Sequence, residues 1–505
     1  MKILKCEYVI LICLLVVGYL CLPLASVARG ETKIVVAIDT DIPGMMPSLA
    51  YERVYIRVLR HLYDDLFTRD SKNKVIPCLA ESYKSLDDLT WRIKLRRGIK
   101  FNNGELFNSE SAKFTIDFIL KPANKSMFRV LIDRIDQIKI VDDYTIDIIT
   151  KKPFPTLLEC LIDVSMVPPM LAKEKGMEYL ANNPCGTGPY RLESWTRDRE
   201  IRLIKNERYW LGAPEIDKVV FRVIPEMGAQ VSALLAGEVD LIGDVPPQFI
   251  KQINNSGIAS VKSTAGRRVN FIGLDTVKEG PMKDLRVRQA MNYGVDVDEI
   301  IRTVMEGHAT RVAGPLTHIN KHFDPSLKPY PYDPEMAKKL LKEAGYGSGL
   351  TVTFDSSERW LKTKEYCEAI VAQLAKIGVN AKLKFHEWGT YSKLSHQQKL
   401  GDMMAMSRQD RELDGGIMYS YFKTGRPWSN FSDPEIDTEL DKVVSIVNPD
   451  KRAEAMKNLQ TKMQKIAPWI FLWEQHELYG VSNRLDWTPR GDEQFFFHIN
   501  TRVKK

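Results

Sequence analysis

The chain has 505 residues, of which 44% are hydrophobic and 27% are charged, and these fractions are ordinary for a soluble globular protein. A chain of this length is too long for a single hydrophobic core and predicts two or three domains. The net charge of +7 is small for the length, and the basic residues form no concentrated stripe of the kind that binding to nucleic acid requires. We therefore expect no nucleic-acid partner.

Residues 1–30 differ in composition from the rest of the chain. Two early lysines are followed by an apolar run, Tyr8 to Leu22, and then by several small residues. This order is typical of a secretory signal peptide, so we expect export and cleavage near Ala28 or Gly30. An uncleaved anchor at the extracytoplasmic face of the membrane is the alternative, since about 20 apolar residues can span a bilayer.

The sequence contains seven cysteines. Lipidation at Cys21 is a further alternative for the N-terminus, although the residues before it fit a lipoprotein pattern poorly. Beyond residue 30 the chain keeps Cys78, Cys160, Cys185 and Cys367, and no two of them have Cys-x-x-Cys spacing, so we expect no structural zinc site. In an exported protein Cys160 could pair with Cys185, but four cysteines allow three pairings and the sequence does not choose among them.

The first half of the chain beyond residue 30 has the pattern of a mixed α/β domain. Residues 33–38 form a β-branched run that predicts a strand, and residues 51–66 have apolar side chains at helical spacing. Residues 90–98 alternate apolar and basic side chains, which predicts a half-buried strand whose arginines face solvent rather than an anion site. Residues 135–149 predict a hairpin, since two alternating runs flank a pair of aspartates that tolerate turns.

A loop rich in glycine and proline follows at residues 183–190, with the sequence Asn-Pro-Cys-Gly-Thr-Gly-Pro-Tyr. Its composition predicts a fixed, tight turn with exposed backbone amides. It lacks the Gly-Lys-Ser/Thr ending and the following helix of a phosphate-binding loop. The strand–helix–strand pattern of residues 219–242 then predicts the main sheet of a first lobe.

The middle of the chain, residues 270–307, predicts a strand and two helices. Asp284 is placed to cap the first helix and Asp296 the second, and Gly307 suits the end of the second helix. Further along, Asp333-Pro334 predicts another helix start, and residues 350–385 have a strand–helix–strand pattern typical of a second α/β lobe.

Two expectations concern the C-terminal part. A helix over residues 452–466 is predicted with Ala453, Met456, Leu459 and Met463 on its buried face. Residues 467–472 predict a buried strand that returns towards the hinge between the lobes, and residues 495–499 predict the last strand of the first lobe.

As text, these stretches resemble one family, the peptide/nickel-type extracellular solute-binding proteins (family 5) that feed ABC importers. About eight segments match in order, including Gly-Thr-Gly-Pro-Tyr at residues 186–190 and Tyr-Asp-Pro at residues 332–334. In the middle of the chain the family signature is matched by Asn270, Pro281, Asp284, Arg286, Val287, Arg288, Ala290 and Asp296.

The resemblance implies an α/β, two-lobed periplasmic binding protein (Venus-flytrap) fold of the large class, which has an extra subdomain in the first lobe. The implied boundaries are a signal peptide at 1–30, first lobe at 31–65, extra subdomain at 66–184, first lobe again at 185–272, second lobe at 273–482, and a return to the first lobe at 483–505.

The resemblance also implies a function. Two hinged lobes would close on a peptide-like small solute in the periplasm, and the closed form would dock on an ABC permease. We expect a monomer without a cofactor. We also expect no metal site and no catalysis, because the eight histidines have no ligand spacing and no Gly-x-Ser-x-Gly elbow is present. The alternatives are the same scaffold with an oligosaccharide or nickel chelate as cargo and, in another class, a secreted hydrolase.

Residues 402–421 depart from the family pattern in an informative way. Family members that bind peptides often carry a tryptophan and then Asp-Pro here, and the aspartate meets the α-ammonium of the peptide, a buried charge that needs an opposite partner. Arg408 stands at the tryptophan position, and Asp414 is followed by glycine. Asp414 can still be the ammonium partner, and a solvated charged loop is the alternative.

The candidate ligand contacts are residues that the resemblance places near the cleft. Arg359 lies where family members can reach a ligand carboxylate, and core packing is the alternative for Trp360 and Tyr391. The full set is Asp414, Arg411, Arg408, Trp388, Tyr391, Arg359, Trp360, Thr187 and Gly188.

Overall fold

The computed structural model describes residues 31–47, 49–50, 52–497 and 501–504. The signal peptide expected at residues 1–30, its cleavage and the lipidation alternative at Cys21 all lie outside the described residues. Within the described ranges, no helix combines the length and the hydropathy that a bilayer crossing requires.

The described chain alternates strands and helices along its length. The strands are β1 (Lys33–Ile38), β2 (Phe67–Arg69), β3 (Val75–Pro77), β4 (Ala80–Ser85), β5 (Thr90–Leu95), β6 (Ile135–Asp142), β7 (Thr145–Thr150), β8 (Tyr190–Thr196), β9 (Glu200–Lys205), β10 (Lys218–Val223), β11 (Leu241–Ile242), β12 (Ala259–Leu274), β13 (Ala309–Arg311), β14 (Leu350–Ser356), β15 (Val379–Phe385), β16 (Met403–Gln409), β17 (Trp469–Ser482), β18 (Leu485–Asp486) and β19 (Arg502–Val503).

The α-helices cover the faces and ends of these strands. They are α1 (Arg53–Leu62), α2 (Ser109–Leu120), α3 (Arg129–Ile132), α4 (Leu157–Cys160), α5 (Pro169–Lys175), α6 (Met227–Leu235), α7 (Ile250–Asn254), α8 (Leu285–Tyr293), α9 (Val297–Thr303), α10 (Pro334–Glu343), α11 (Thr363–Ala375), α12 (Trp388–His396), α13 (Gly416–Phe422), α14 (Pro434–Val443) and α15 (Pro449–Ile466).

One continuous sheet runs through the molecule. Its 11 strands include the order β15-β14-β16-β12-β17-β11-β1-β10-β9-β8, and β13 pairs with β17. The strands β14, β15 and β16 belong to one end of this sheet, and β1, β8, β9, β10 and β11 to the other. We call the two ends, with the helices packed on them, the second lobe and the first lobe.

Both lobes are buried on the two faces of their sheet. In β1 the side chains of Val36 and Ile38 join one apolar core, and Val35 and Ala37 join the core on the opposite face. Burial on both faces explains why residues 34–38 of β1 are all apolar, a pattern that is typical of parallel strands. A separate four-stranded sheet, in the order β4-β5-β7-β6, packs with α2 beside the first lobe.

The two lobes are joined through the long antiparallel strands β12 and β17. Residues 259–265 of β12 pair with β17 in the first lobe, and residues 269–274 pair with β17 and β16 in the second lobe. Between Ala265 and Val269 the register with β17 shifts. The segment Gly266-Arg267-Arg268 is therefore a bulge at the junction of the lobes, and a bulge adds local bending to a strand.

Helix capping follows the sequence prediction closely. The Asp284 carboxylate accepts a hydrogen bond from the Arg286 amide at 2.8 Å, and the Asp296 carboxylate accepts one from the Glu299 amide at 2.9 Å. Gly307 has a φ of +82°, the left-handed conformation that glycine adopts without strain. These local predictions are confirmed because the capping chemistry depends on residues only a few positions apart.

Two expectations are wrong. Residues 495–497 form no strand, and the last strand is β19, paired with β18; residues 498–500 lie outside the described residues. Ala453 is exposed, and its neighbour Arg452 is buried in its place because that guanidinium pairs with an internal carboxylate. The sequence left the cysteine pairing open, and Cys160 and Cys185 are free thiols in the part of the chain that the structure describes.

The bulge explains why residue 266 is glycine. A Cβ atom at this position would lie 2.7 Å from the Gln475 carbonyl oxygen and 3.1 Å from the Glu477 Cγ. We expect Gly266→Ala to lower the free energy of unfolding by about 1–3 kcal/mol, because the backbone of β17 must shift. Thermal unfolding measures this cost.

The matched control is Gly228→Ala in α6, where a Cβ meets nothing within 4 Å. It should stabilise by about 0.5–1 kcal/mol, because alanine loses less entropy in a helix. An equal melting temperature for the Gly266 variant and the wild type would show that the bulge tolerates a side chain.

Candidate ligand-binding cleft

A cavity of about 880 Å³ lies between the two lobes, beside the bulge in β12. Its walls come from both lobes and from the hinge strands, including Asp39 and Asp244 from the first lobe, Arg267 from β12, Glu477 from β17 and Arg408 from the second lobe. This volume falls within the usual range for small-molecule sites. A ligand here would contact both lobes at once.

The second-lobe wall stands at the carboxyl edge of its strands. β14 pairs in parallel with both β15 and β16, so the three strands end at the same edge. Arg359 and Trp360 follow β14, Trp388 opens α12 just after β15, and Arg408 lies near the end of β16. All four side chains line the cavity.

Arg408 is held among aromatic rings. Its guanidinium carbon lies 4.1 Å from the centroid of the Trp428 ring and 5.6 Å from that of Trp388. Such stacking stabilises a cation and restricts its orientation. The Nε and Nη2 atoms of Arg408 are buried and have no hydrogen-bond partner among the described residues. The aromatic rings thus fix the orientation of Arg408, and its Nε and Nη2 atoms remain available to donate hydrogen bonds to a ligand.

Arginines of the bulge extend the basic wall. The Nε atom of Arg267 is buried without a hydrogen-bond partner in the described structure, and its nearest carboxylate oxygen, on Glu493, is 4.0 Å away. Arg268 donates a long hydrogen bond, 3.4 Å, from Nη1 to the Ser407 carbonyl oxygen. The Ser407 hydroxyl, which also lines the cavity, is buried and unpartnered. Unsatisfied buried donors of this kind are costly, and an anionic ligand would satisfy them.

The first-lobe wall is acidic. β1 and β11 are parallel, with Val36 opposite Leu241, so the aspartates that follow their carboxyl ends, Asp39 and Asp244, stand on neighbouring strands at one edge. Asp244 accepts a hydrogen bond from Arg53 at 2.7 Å. The exposed Asp39 carboxylate has no hydrogen bond or ion pair within the described residues.

Glu477 completes this acidic wall from the hinge strand β17. Its side chain is 1% exposed, one oxygen lies 3.5 Å from the Arg53 guanidinium, and the other has no partner in the described structure. Burial and the negative charge of the neighbouring Glu493 raise the pKa of Glu477 to about 8. Burial also acts on Glu493, but the charges of Arg53, Arg267 and Arg268 prevail and lower its pKa to about 2.

The structure places Asp414 away from the cavity. Its carboxylate is fully buried, accepts a 2.7 Å hydrogen bond from the Arg452 Nε, pairs with the Lys321 ammonium, and lies 3.3 Å from the His322 Nε2. Burial opposes ionisation, but hydrogen bonding to His322 and the charges of Arg452 and Lys321 hold the pKa of Asp414 below its usual range. The aspartate is thus internally neutralised.

Three other predicted contacts lie inside the fold. The Thr187 hydroxyl donates to Asp64 at 2.9 Å, and the Gly188 amide donates to the Leu62 carbonyl oxygen at 3.1 Å, so their loop is packed on the end of α1. The Tyr391 hydroxyl donates to the Ala405 carbonyl oxygen at 2.6 Å, and its ring is fully buried. None of the three is among the residues that line the cavity.

Arg411 lines the cavity, and its side chain reaches a carboxylate on the opposite side. Its Nε donates to Asp163 of the first lobe at 3.0 Å, and Asp163 is also 2.5 Å from Arg60. A second ion pair, 2.8 Å from the Lys321 Nζ to a Glu159 oxygen, joins the lobes nearby. These two ion pairs therefore connect the walls of the cavity directly.

Sequence reasoning overlooked part of the cavity wall. Asp39, Asp244, Arg267, Arg268 and Glu477 line it, and none was singled out from the sequence. The tandem arginines after Gly266 were the available signal, since two adjacent charges interrupt a strand. Among the residues that the structure describes, no three His, Cys, Asp or Glu side chains are arranged to hold a metal ion.

Comparison with known proteins identifies the class. Residues 74–430 match the family model described as bacterial extracellular solute-binding proteins, family 5 Middle, and the chain belongs to this family. It is a solute-binding protein of the kind that works with ABC importers outside the cytoplasm. The glutathione-binding protein GsiB of Pectobacterium atrosepticum is 28% identical over 478 residues, covering 91% of this chain and 92% of GsiB.

Solved structures share the fold. The binding protein CtaP of Listeria monocytogenes superposes with a TM-score of 0.85 at 21% identity, covering 94% of this chain and 100% of CtaP. The periplasmic binding protein DppA of Helicobacter pylori, solved with the peptide STSA, has a TM-score of 0.76 at 25% identity and covers 94% of this chain and 98% of its own. The predicted family and the two-lobed α/β fold are therefore confirmed.

The crossing ion pair of Arg411 predicts a conformational effect. Arg411→Met removes the cation that joins the lobes but leaves Asp163 paired with Arg60. We expect the ligand-free variant to populate a more open form, with a larger radius of gyration by small-angle X-ray scattering. Loss of about 1.5–3 kcal/mol of charged hydrogen bonding should weaken ligand binding about 10- to 100-fold.

Lys423→Met is the matched control, because Lys423 pairs with Asp441 inside the second lobe. An unchanged radius for both variants would mean that the Arg411 pair does not hold the lobes closed.

The raised pKa of Glu477 predicts a dependence of stability on pH. The folded protein binds this proton more tightly than the unfolded chain, in which a glutamate has its ordinary pKa near 4.5. The free energy of unfolding should therefore fall as pH rises from about 4.5 through about 8. In Glu477→Gln this fall should be smaller. Urea unfolding at pH 6 and pH 9 measures the difference, and an identical loss in both proteins contradicts the assignment.

Proposed function

We propose that this chain captures a small acidic peptide between its lobes and delivers it, chemically unchanged, to an ABC permease. We also propose that it acts as a periplasmic monomer after signal-peptide cleavage, without a cofactor. The observation that carries the cargo assignment is the set of arginine donors that face the cavity without a carboxylate partner.

The charge balance of the cavity supports an anionic cargo. Arg53 and Arg411 are neutralised by carboxylates of the fold, whereas Arg268, Arg359 and Arg408 form no ion pair within the described residues. Arg359 is exposed, and Arg268 and Arg408 are half-buried. The buried Nε and Nη2 atoms of Arg408 need an acceptor, and a carboxylate offers two oxygens in matching geometry. A ligand with two carboxylates would complete this wall.

The aromatic residues suit the apolar part of a peptide. Trp360 and Trp388 pack edge to face, with ring centroids 5.5 Å apart, and the Arg359 guanidinium carbon lies 4.6 Å from the Trp388 centroid. Such faces give contact area at low entropic cost. We therefore propose Arg359, Trp360, Trp388 and Arg408 as ligand contacts and assign Tyr391, Asp414 and the Thr187-Gly188 loop to the fold.

The relatives suggest a first cargo to test. Several similar proteins are named glutathione-binding proteins, and glutathione is a peptide with two carboxylates and one ammonium group. Its charges fit a cavity that has both basic and acidic walls. We propose glutathione or a peptide with the same charges as the cargo.

The test is titration calorimetry with reduced glutathione. Arg408→Gln keeps a polar side chain but removes the charge, and we expect its Kd to rise about 10- to 100-fold, because one charged hydrogen bond contributes about 1.5–3 kcal/mol. Arg302→Gln, which changes an exposed arginine of α9, should leave the Kd unchanged.

Other cargoes would give distinct results. Tight binding of an oligosaccharide or of a nickel–histidine complex, with no heat from glutathione or from an acidic dipeptide, would contradict the proposal. Turnover of the bound molecule would support the hydrolase alternative instead.

A further inference from the structure

The cavity is divided by charge. Its first-lobe wall carries Asp39, Asp244 and Glu477, and its opposite wall carries arginines and tryptophans of the second lobe. Because the carboxyl edges of both lobes face the same space, the two walls present opposite charges to one ligand. A molecule that has an amino group at one end and carboxylates at the other can satisfy both walls in only one orientation.

Resting on the proposed function, we propose that Asp39 and Glu477 form the subsite for the amino group of the ligand. The peptide then lies with its amino end against the first lobe and its carboxylates against Arg408 and Arg359 of the second lobe. The ligand class is a peptide with a free amino group and at least two carboxylates.

The three carboxylates of the first-lobe wall differ in how many hydrogen bonds and ion pairs they form with other residues of the protein. Asp244 is already paired with two arginines, since Arg53 lies 2.7 Å and Arg57 lies 3.7 Å from its oxygens. Asp39 has no polar partner in the described part of the chain. Glu477 is 1% exposed, lines the cavity, and keeps one oxygen without a partner. Because its pKa is raised to about 8, Glu477 holds a proton in the free protein near neutral pH. An ammonium group beside it favours the ionised form, so the proton leaves to solvent and the open oxygen accepts a hydrogen bond from the ammonium.

Asp414 cannot serve this purpose in the observed structure. The Lys321 ammonium already rests on its carboxylate, Arg452 occupies the other oxygen, and the side chain is fully buried. A ligand ammonium would have to displace Lys321 and break the pair that this lysine forms with Glu159. The first-lobe wall offers acceptors without that cost.

The test removes the amino group from the ligand and its partners from the protein. The two probes are reduced glutathione and glutaryl-cysteinyl-glycine, which is glutathione without its amino group. For the wild type we expect the second probe to bind about 10- to 100-fold more weakly, as for one or two charged hydrogen bonds. In Asp39→Asn/Glu477→Gln the two probes should differ less than about threefold.

Three comparisons make the result decisive. Asp39→Asn alone changes an exposed, unpartnered side chain, so it folds even if the double variant does not, and it should shrink the difference between the probes at least threefold. Glu238→Gln, which removes an exposed first-lobe carboxylate that is not among the lining residues, should keep the wild-type difference. Asp414→Asn should also keep it.

Two results would overturn the inference while leaving the proposed function intact. One is that the Asp39 variants discriminate between the probes as strongly as the wild type. The other is that only Asp414→Asn loses the discrimination. Failure of the wild type to bind glutathione would instead overturn the proposed function and this subsite with it.

Discussion

The pairing of β12 with β17 is the constraint on which the rest of the structure depends. These two strands belong to the sheets of both lobes, so the lobes cannot move apart without bending them. The bulge at Gly266-Arg267-Arg268 is where that bending is concentrated, because the ladder is interrupted there and a side chain at residue 266 would strike the Gln475 carbonyl group. The same bulge brings two arginines to the cavity. Hinge and ligand wall are therefore one segment of the chain.

The charge division of the cavity follows from topology. Parallel strands place the residues after their carboxyl ends along one edge. In the first lobe those residues are Asp39 and Asp244, and in the second lobe they are Arg359 and Trp388. Each of these residues follows a different strand, and Asp39 and Asp244 are about 200 positions apart in the sequence. Only the pairing of their strands in one sheet brings such residues together. The ion pair between Arg411 and Asp163 connects the two lobes beside these walls.

The sequence was sufficient for most features that depend on neighbours along the chain, although the strand expected at residues 495–499 does not form over 495–497. The caps at Asp284 and Asp296, the hairpin of β6 and β7, and the strand–helix–strand units of both lobes follow from short spacings, and the family followed from motifs in order. It was insufficient where distant charges meet. The residues that flank Asp414 in the sequence do not indicate that Arg452 and Lys321 pair with its carboxylate. Likewise, the residues that flank Glu477 do not indicate that the charge of Glu493 lies nearby. The same long-range pairing buries Arg452 at a position where periodicity favoured Ala453.

The charge division of the cavity implies that it selects its cargo by charge, with one positive and at least two negative groups on the same small molecule. Native mass spectrometry of protein purified without denaturation tests this claim most directly, because a retained ligand is identified by its mass and fragmentation. We expect a small peptide that carries an amino group and two or more carboxylates. A retained neutral sugar, a metal chelate without such a peptide, or a peptide with no acidic group beyond its C-terminus would contradict it.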